Sequence, residues 1–252
     1  MHKHITICLS AMVLCVCTNA QFRLPDSLFL KNGHVFVEAG VSIPVMDYAS
    51  TDFNVLSSGF AQTGYSWQAG MQYDVLPWLG LGVQYYFNEN NFDDDALARS
   101  YIELSATNPR LPVIYNGFRS DPWSMRGMMF GLYLPVRNFM STITIGMYAG
   151  YMNATLPASQ LYITERATGQ PATIMQYEAS GNDAAYYFFV GFRTRLYKNL
   201  VFTSKASFLY SEQRFEEISG YFTGLQRAIS FSPYTQYYHI INIHAGVGWQ
   251  FR

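Results

Sequence analysis

Residues 241–252 read Ile241-Asn242-Ile243-His244-Ala245-Gly246-Val247-Gly248-Trp249-Gln250-Phe251-Arg252. Every odd position is apolar, and every even one is polar, charged or glycine. Strict period two marks a β-strand with two chemically different faces, because successive side chains leave opposite sides of the pleat. The same division recurs upstream. Val35, Val37, Ala39, Val41, Ile43 and Val45 alternate with His34, Phe36, Glu38, Gly40 and Ser42. Tyr65, Trp67, Ala69, Met71, Tyr73 and Val75 oppose Gly64, Ser66, Gln68, Gly70, Gln72 and Asp74. Eight such segments are found, at about 34–45, 63–75, 79–88, 124–134, 140–152, 184–197, 200–211 and the final stretch, with ten strands as the alternative count. The fourth is the weakest, setting Met128, Phe130, Leu132 and Leu134 against Gly127, Met129, Gly131 and Tyr133.

The composition decides which side of each ribbon meets solvent. The chain is 17% aromatic and only 13% charged, whereas a soluble domain carries about 25% charged residues. Water-facing strands would be short of ions. A greasy face turned to lipid, with the glycine, serine and glutamine face lining a narrow interior, accounts for both numbers. Tight links at Leu76-Pro77-Trp78, Val136-Arg137-Asn138-Phe139 and Lys198-Asn199 alternate with long ones at about 46–62, 89–123, 153–183 and 212–236. The expected fold is therefore all-β: an eight-stranded antiparallel transmembrane β-barrel with short periplasmic turns and long external loops. Trp78, Phe139, Tyr197, Trp249 and Phe251 at the short-turn end, and Trp123, Tyr151, Tyr186 and Tyr210 at the other, are expected to form two interfacial girdles. Asp93-Asp94-Asp95 before Ala96-Leu97-Ala98 reads as an acidic cap on a short helix in the second loop.

The start of the chain points to export. His2, Lys3 and His4 precede an apolar run from Ile5 to Cys17 that is too short to span a bilayer, and Ala20 offers a small residue for cleavage. Residues 1–20 are expected to be a signal peptide and 21–252 one outer-membrane barrel domain. All three cysteines, Cys8, Cys15 and Cys17, fall in the leader, so the expected mature chain has no thiol chemistry. Its near-neutral charge gives no reason to expect nucleic acid as a partner.

The end of the chain carries the most specific motif. His244-Ala245-Gly246-Val247-Gly248-Trp249-Gln250-Phe251 resembles the signal read by the outer-membrane insertion machinery, with Gly246, Trp249 and Phe251 at its defining positions, although Arg252 follows the last aromatic. Together with Gly64-Tyr65-Ser66-Trp67-Gln68-Ala69-Gly70-Met71-Gln72-Tyr73 and Leu79-Gly80-Leu81-Gly82, it makes the chain resemble the small outer-membrane barrels of the OmpA-type and PorT-like families. The resemblance implies a place in the cell outer membrane, in contact with lipid and lipopolysaccharide, and implies no chemistry.

Glu38, Arg193, Arg195, Lys205 and His244 fall on the interior face, where a lone charge is costly and pairing is expected. They are expected to form a lumen polar network. His34, His239 and His244 lack metal-ligand spacing, so neither a metal nor a cofactor is expected. A lipid A-modifying enzyme would need a serine with a histidine base, and His239 near the outer end of the last strand is its one candidate. The leading expectation is a non-enzymatic envelope protein whose external loops contact a protein or glycan, with an accessory subunit of a secretion or assembly machine as the alternative. A diffusion pore ranks last, since eight strands leave little open lumen.

Overall fold

The computed structural model describes residues 33–53, 55, 57–137 and 141–251. The expected leader and its cysteines, Phe139 and Arg252 lie outside the described residues. Among the described residues thirteen strands are formed: β1 (Gly33–Pro44), β2 (Gly64–Leu76), β3 (Leu79–Asn90), β4 (Val113–Ser120), β5 (Trp123–Arg137), β6 (Ser141–Leu156), β7 (Ser159–Glu165), β8 (Pro171–Gln176), β9 (Ala179–Tyr197), β10 (Leu200–Phe215), β11 (Ser219–Phe222), β12 (Arg227–Ser230) and β13 (Tyr234–Phe251). A helix, α1 (Asp94–Thr107), precedes β4.

Eight strands close into a barrel in the order β1-β13-β10-β9-β6-β5-β3-β2, and every pair is antiparallel. These are the eight alternating segments. The ring closes where Val37 faces Val247 on one side and Ala69 on the other. Closure leaves no free sheet edge, the one arrangement in which a sheet can stand in hydrocarbon with every backbone group paired.

The burial pattern is inside-out relative to a soluble barrel. Val37, Phe130, Ile243 and Trp249 are 52–68% exposed on the outer face. Ser42, Gln68, Asn242 and His244 are at most 1% exposed inside. An exposed Val, Leu or Phe side chain forfeits about 1.5–3 kcal/mol relative to burial. A band of them in water would consume a typical stability of about 5–15 kcal/mol several times over. The outer face is thus built for an apolar surrounding. Tyr65, Tyr151 and Tyr186 bound the band on the long-loop side, and Trp78, Tyr197 and Trp249 on the turn side, all exposed.

Trp123 departs from the expected girdle. It is 2% exposed and points inward, its indole Nε1 donating to the Gly59 carbonyl at 2.9 Å. The physical reason is parity: Trp123 shares a face with Met125, Gly127 and Met129, and Met125 and Met129 are buried as well.

The long links are not simple loops. β4, β7, β8, β11 and β12 form a second, five-stranded antiparallel sheet in the order β12-β11-β8-β7-β4, beyond the long-loop end of the barrel. Barrel strands β5, β6 and β9 run into it through two-residue links at Asp121-Pro122, Pro157-Ala158 and Tyr177-Glu178. α1 packs on β4, with the Tyr101 ring 4.9 Å from that of Tyr115. Its first turn is stabilised by Asp93, whose carboxylate accepts from the Ala96 amide at 3.0 Å, and by Asp94 and Asp95 near the positive end of the helix dipole.

The link between β1 and β2 folds over the barrel mouth. A single 3-10 turn, Met46–Ala49, places Tyr48 in the interior, fully buried, its ring 4.7 Å from Tyr238 and 6.0 Å from Trp123. Backbone bonds from Val45 to His239 and from Gly59 to Asp47, both 2.9 Å, pin the segment down. Gly59 is required here, because a Cβ would lie 2.5 Å from the Tyr48 carbonyl oxygen.

Candidate functional site

The interior polar network assembles from cross-strand neighbours on the inward face. Glu38 on β1 sits opposite Gln68 on β2 and Gly246 on β13. Gly246 has no side chain to give: a Cβ there would meet the Val37 carbonyl oxygen at 2.0 Å and the Glu38 Cγ at 2.9 Å. That space lets the carboxylate lie across β13 toward β10, where Lys205 Nζ stands 3.2 Å from Glu38 Oε2. Gln68 Nε2 donates to the same oxygen, and Tyr187 donates its hydroxyl to Gln68 Oε1 at 2.9 Å. The Lys205 ammonium also lies over the rings of Phe36 and Phe189, at 4.2 and 5.0 Å. Both charged groups are out of water, Glu38 at 3% and Lys205 at 5% exposed, so each depends on the other.

A second layer lies toward the turn end. Asp74 pairs with Arg137 and accepts from the Tyr133 hydroxyl at 2.7 Å. Arg193 Nη1 contacts His34 Nδ1, and Gln72 Nε2 donates to the Tyr148 hydroxyl at 2.7 Å. Toward the mouth, Tyr86 donates to Asn242 Oδ1 at 3.1 Å, and Ser66 Oγ lies 3.0 Å from that oxygen and 2.7 Å from His244 Nε2.

The structure thus gathers Glu38, Lys205, His244 and Arg193 inside the barrel, and it corrects Arg195, which is exposed. Alternation alone puts Arg195 on the face of Arg193. Its cross-strand partner on β10, Val201, is fully buried, and the pairing of β9 with β10 slips immediately after that pair, between Leu200 and Val201. At the rim, a long guanidinium side chain reaches solvent. Gln68, Gln72, Tyr133, Tyr148 and Tyr187 were not anticipated as members of the network, although each sits at inward parity. Their signal was a tyrosine or glutamine in register with the charged positions.

The arrangement fills space rather than opening it. Between His34, Phe36, Glu38, Arg193 and Lys205 there is a cavity of about 10 Å³, room for about one water molecule. Above it the lumen is occupied by Tyr86, Tyr187, Tyr238, Tyr48 and Trp123, all buried. The one serine–histidine contact of the described interior is not arranged as a nucleophile and its base. Ser66 and His244 make a serine–histidine contact, but both are 1% exposed, and His244 Nδ1 has no hydrogen-bond partner where an orienting acid would stand. His239 lies instead on the outer face, its ring 5.2 Å from that of Tyr210. Among the described residues no group of three histidine, cysteine or acidic side chains is placed to hold a metal.

No family model and no curated protein matches the chain. Among solved structures it is similar to a major outer membrane protein from Thermus thermophilus, at 14% identity over 87% of this chain and 99% of the other, with a TM-score of 0.46. It is also similar to the outer membrane protein OprG from Pseudomonas aeruginosa, at 10% identity over 88% and 97%, with a TM-score of 0.45. The outer membrane protease OmpT from Escherichia coli is a more distant likeness, at 8% identity over 87% and 97%, with a TM-score of 0.36. Likenesses this remote carry no statement about activity. The barrel stands on its own pairing and burial.

Of the positions expected to direct insertion, Trp249 is exposed on the outer face and Phe251 half-buried at the end of β13, while Gly246 faces inward against Glu38. Two of the three therefore face the surroundings of the barrel, and the third makes room for the interior ion pair.

Proposed function

We propose that this is an exported, non-enzymatic outer-membrane protein whose barrel is a closed anchor and whose outer sheet, with α1, is a binding surface for a protein or glycan partner. The observation that carries the reading is the contrast between the two halves: an interior filled with packed side chains, and long links that spend their residues on a second ordered sheet. A transport barrel has the opposite need, an unobstructed lumen. The aromatic bands fit a chain held in lipid, and Trp249 and Phe251 fit recognition by the insertion machinery.

The test has two arms. Purified protein in planar bilayers is expected to give no steady current. A Thr168→Cys variant, in the exposed turn between β7 and β8, is expected to react with an impermeant maleimide on intact cells. A stable ion-selective conductance, or labelling only after lysis, overturns the reading.

A further inference from the structure

The barrel and the outer sheet meet at a seam with a pocket in it. Three two-residue links join strands of the barrel to strands of the outer sheet there, at Asp121-Pro122, Pro157-Ala158 and Tyr177-Glu178. They stand side by side because Ser120 pairs with Ser159 and Ser159 with Gln176. Pro122 and Pro157 supply no amide to a ladder, so strand pairing is interrupted at this level. The few bonds that remain run from the Asp121 amide to the Ala158 carbonyl at 2.9 Å and from the Tyr177 amide to the Ser219 carbonyl at 2.9 Å. The pocket has a volume of about 290 Å³, just below the range of about 300–1,000 Å³ typical of small-ligand sites.

The lining has a definite chemistry. Arg119 and Asp121 reach it from the end of β4, Gln160 from β7, and Gln176 and Tyr177 from the end of β8. Among the described residues neither Arg119 nor Asp121 makes an ion pair, although the two are close in sequence. Gln160 accepts from the Tyr162 hydroxyl at 2.8 Å through Oε1, which leaves its amide protons to donate. Gln176 donates to the Pro157 carbonyl at 3.3 Å, which leaves its oxygen to accept. Tyr177 is half-exposed, offering a ring face beside these groups.

From this geometry we propose that the seam pocket is a saccharide-binding site that holds one neutral sugar ring. The proposal rests on the reading of the outer sheet as the binding face, and it names the ligand class. A sugar presents hydroxyls that both donate and accept, together with a C–H face that packs on an aromatic ring, and the pocket matches each with donors, acceptors and Tyr177. A phosphate or carboxylate ligand fits less well: one guanidinium faces it, and Asp121 repels it. A purely apolar ligand would leave the free donors of Gln160 and the free acceptor of Gln176 unused and would cover the charged Arg119 and Asp121 side chains.

Saturation-transfer NMR on the full barrel in lipid nanodiscs tests this, with methyl glycosides of glucose, galactose, mannose and N-acetylglucosamine and with core oligosaccharide released from lipopolysaccharide by mild acid. Ring-proton signals are expected from at least one probe. Binding is expected to weaken at least about tenfold in Tyr177→Ala and Asp121→Asn. A preference for the core oligosaccharide assigns the ligand to neighbouring lipopolysaccharide, and a comparable or stronger response to a free glycoside assigns it to a soluble or foreign glycan. Heat-modifiable gel mobility checks that each variant is folded. Absence of signal from every probe, unchanged signal in both variants, or displacement by millimolar inorganic phosphate overturns the proposal. If the same preparation remains closed in bilayers and labels at the cell surface, that failure removes the sugar site and leaves the anchor reading standing.

Discussion

Replacing Lys205 by methionine isolates the energetics of the barrel interior. The substitution keeps the length and apolar stem of the side chain and removes the ammonium 3.2 Å from Glu38 Oε2. Glu38, 3% exposed, would keep only the Gln68 amide as donor. Removing one partner of a buried pair costs about 3–5 kcal/mol, chiefly because the remaining charge is left uncompensated. Loss of the contacts over Phe36 and Phe189 adds at most about 2 kcal/mol. Glu38→Gln alone strands the ammonium instead and is expected to cost a similar amount. The double variant, Glu38→Gln with Lys205→Met, keeps an acceptor for Gln68 and buries no charge. It is expected within about 2 kcal/mol of the parent, because a buried pair exchanged for neutral groups of like volume is often neutral. The coupling across the cycle should then be at least about 4 kcal/mol, near a thousandfold in the folding equilibrium. Reversible urea unfolding in phospholipid vesicles, followed by tryptophan fluorescence, measures all four states. A single-variant cost below about 1 kcal/mol, or costs that simply add, would refute the argument that the two charges support each other.

Three further outcomes test other parts of the structure. Phe130→Arg, at an outer-face position 68% exposed, should destabilise the vesicle-folded barrel by about 2–4 kcal/mol; a water-facing site would change by less than about 0.5 kcal/mol, so a negligible effect would contradict the lipid assignment. Gly40→Ala should block closure, since its Cβ would lie 1.9 Å from the Ile243 carbonyl oxygen on β13; full yield of the compact, heat-modifiable form on gels would be incompatible with this pairing. Asp93→Ala removes the cap on α1 and should cost about 1 kcal/mol locally. Amide exchange in the first turn of α1 should then quicken about fivefold, while that of the barrel stays unchanged.

How much was legible beforehand follows from which side chains feel two different environments. β1, β2, β3 and β13 separate lipid from a packed interior, so Val37 and Glu38, or Ile243 and His244, differ sharply, and period two is plain. The interior charges were found by the same parity. Parity fails at the rim: Arg195 shares the inward parity of Arg193, but its long side chain reaches solvent where the pairing of β9 with β10 slips. Trp123 was misplaced for the opposite reason, because its identity suggested an interface while its register with Met125 and Met129 indicated the interior. The outer sheet left little trace. β8, Pro171-Ala172-Thr173-Ile174-Met175-Gln176, is half-buried along most of its length and begins with proline, so it shows neither alternation nor a clean apolar run. β11 and β12 have four residues each, too few for any period to emerge. The seam pocket depends on pairings between those segments, and no single stretch of sequence contains it.

The closing seam of the barrel joins its first strand to its last, with Val37 on β1 meeting Val247 on β13. Among the described strands, only β13 pairs with that edge of β1. The half-made ring is a curved ribbon with two unsatisfied margins and a greasy back, a shape that aggregates readily. Long-range pairing of this kind is also slow. The polypeptide therefore spends its time before assembly in a vulnerable form. Its folding yield should be limited by how long the open ribbon lasts before the final strand docks, more than by the stability of the finished barrel.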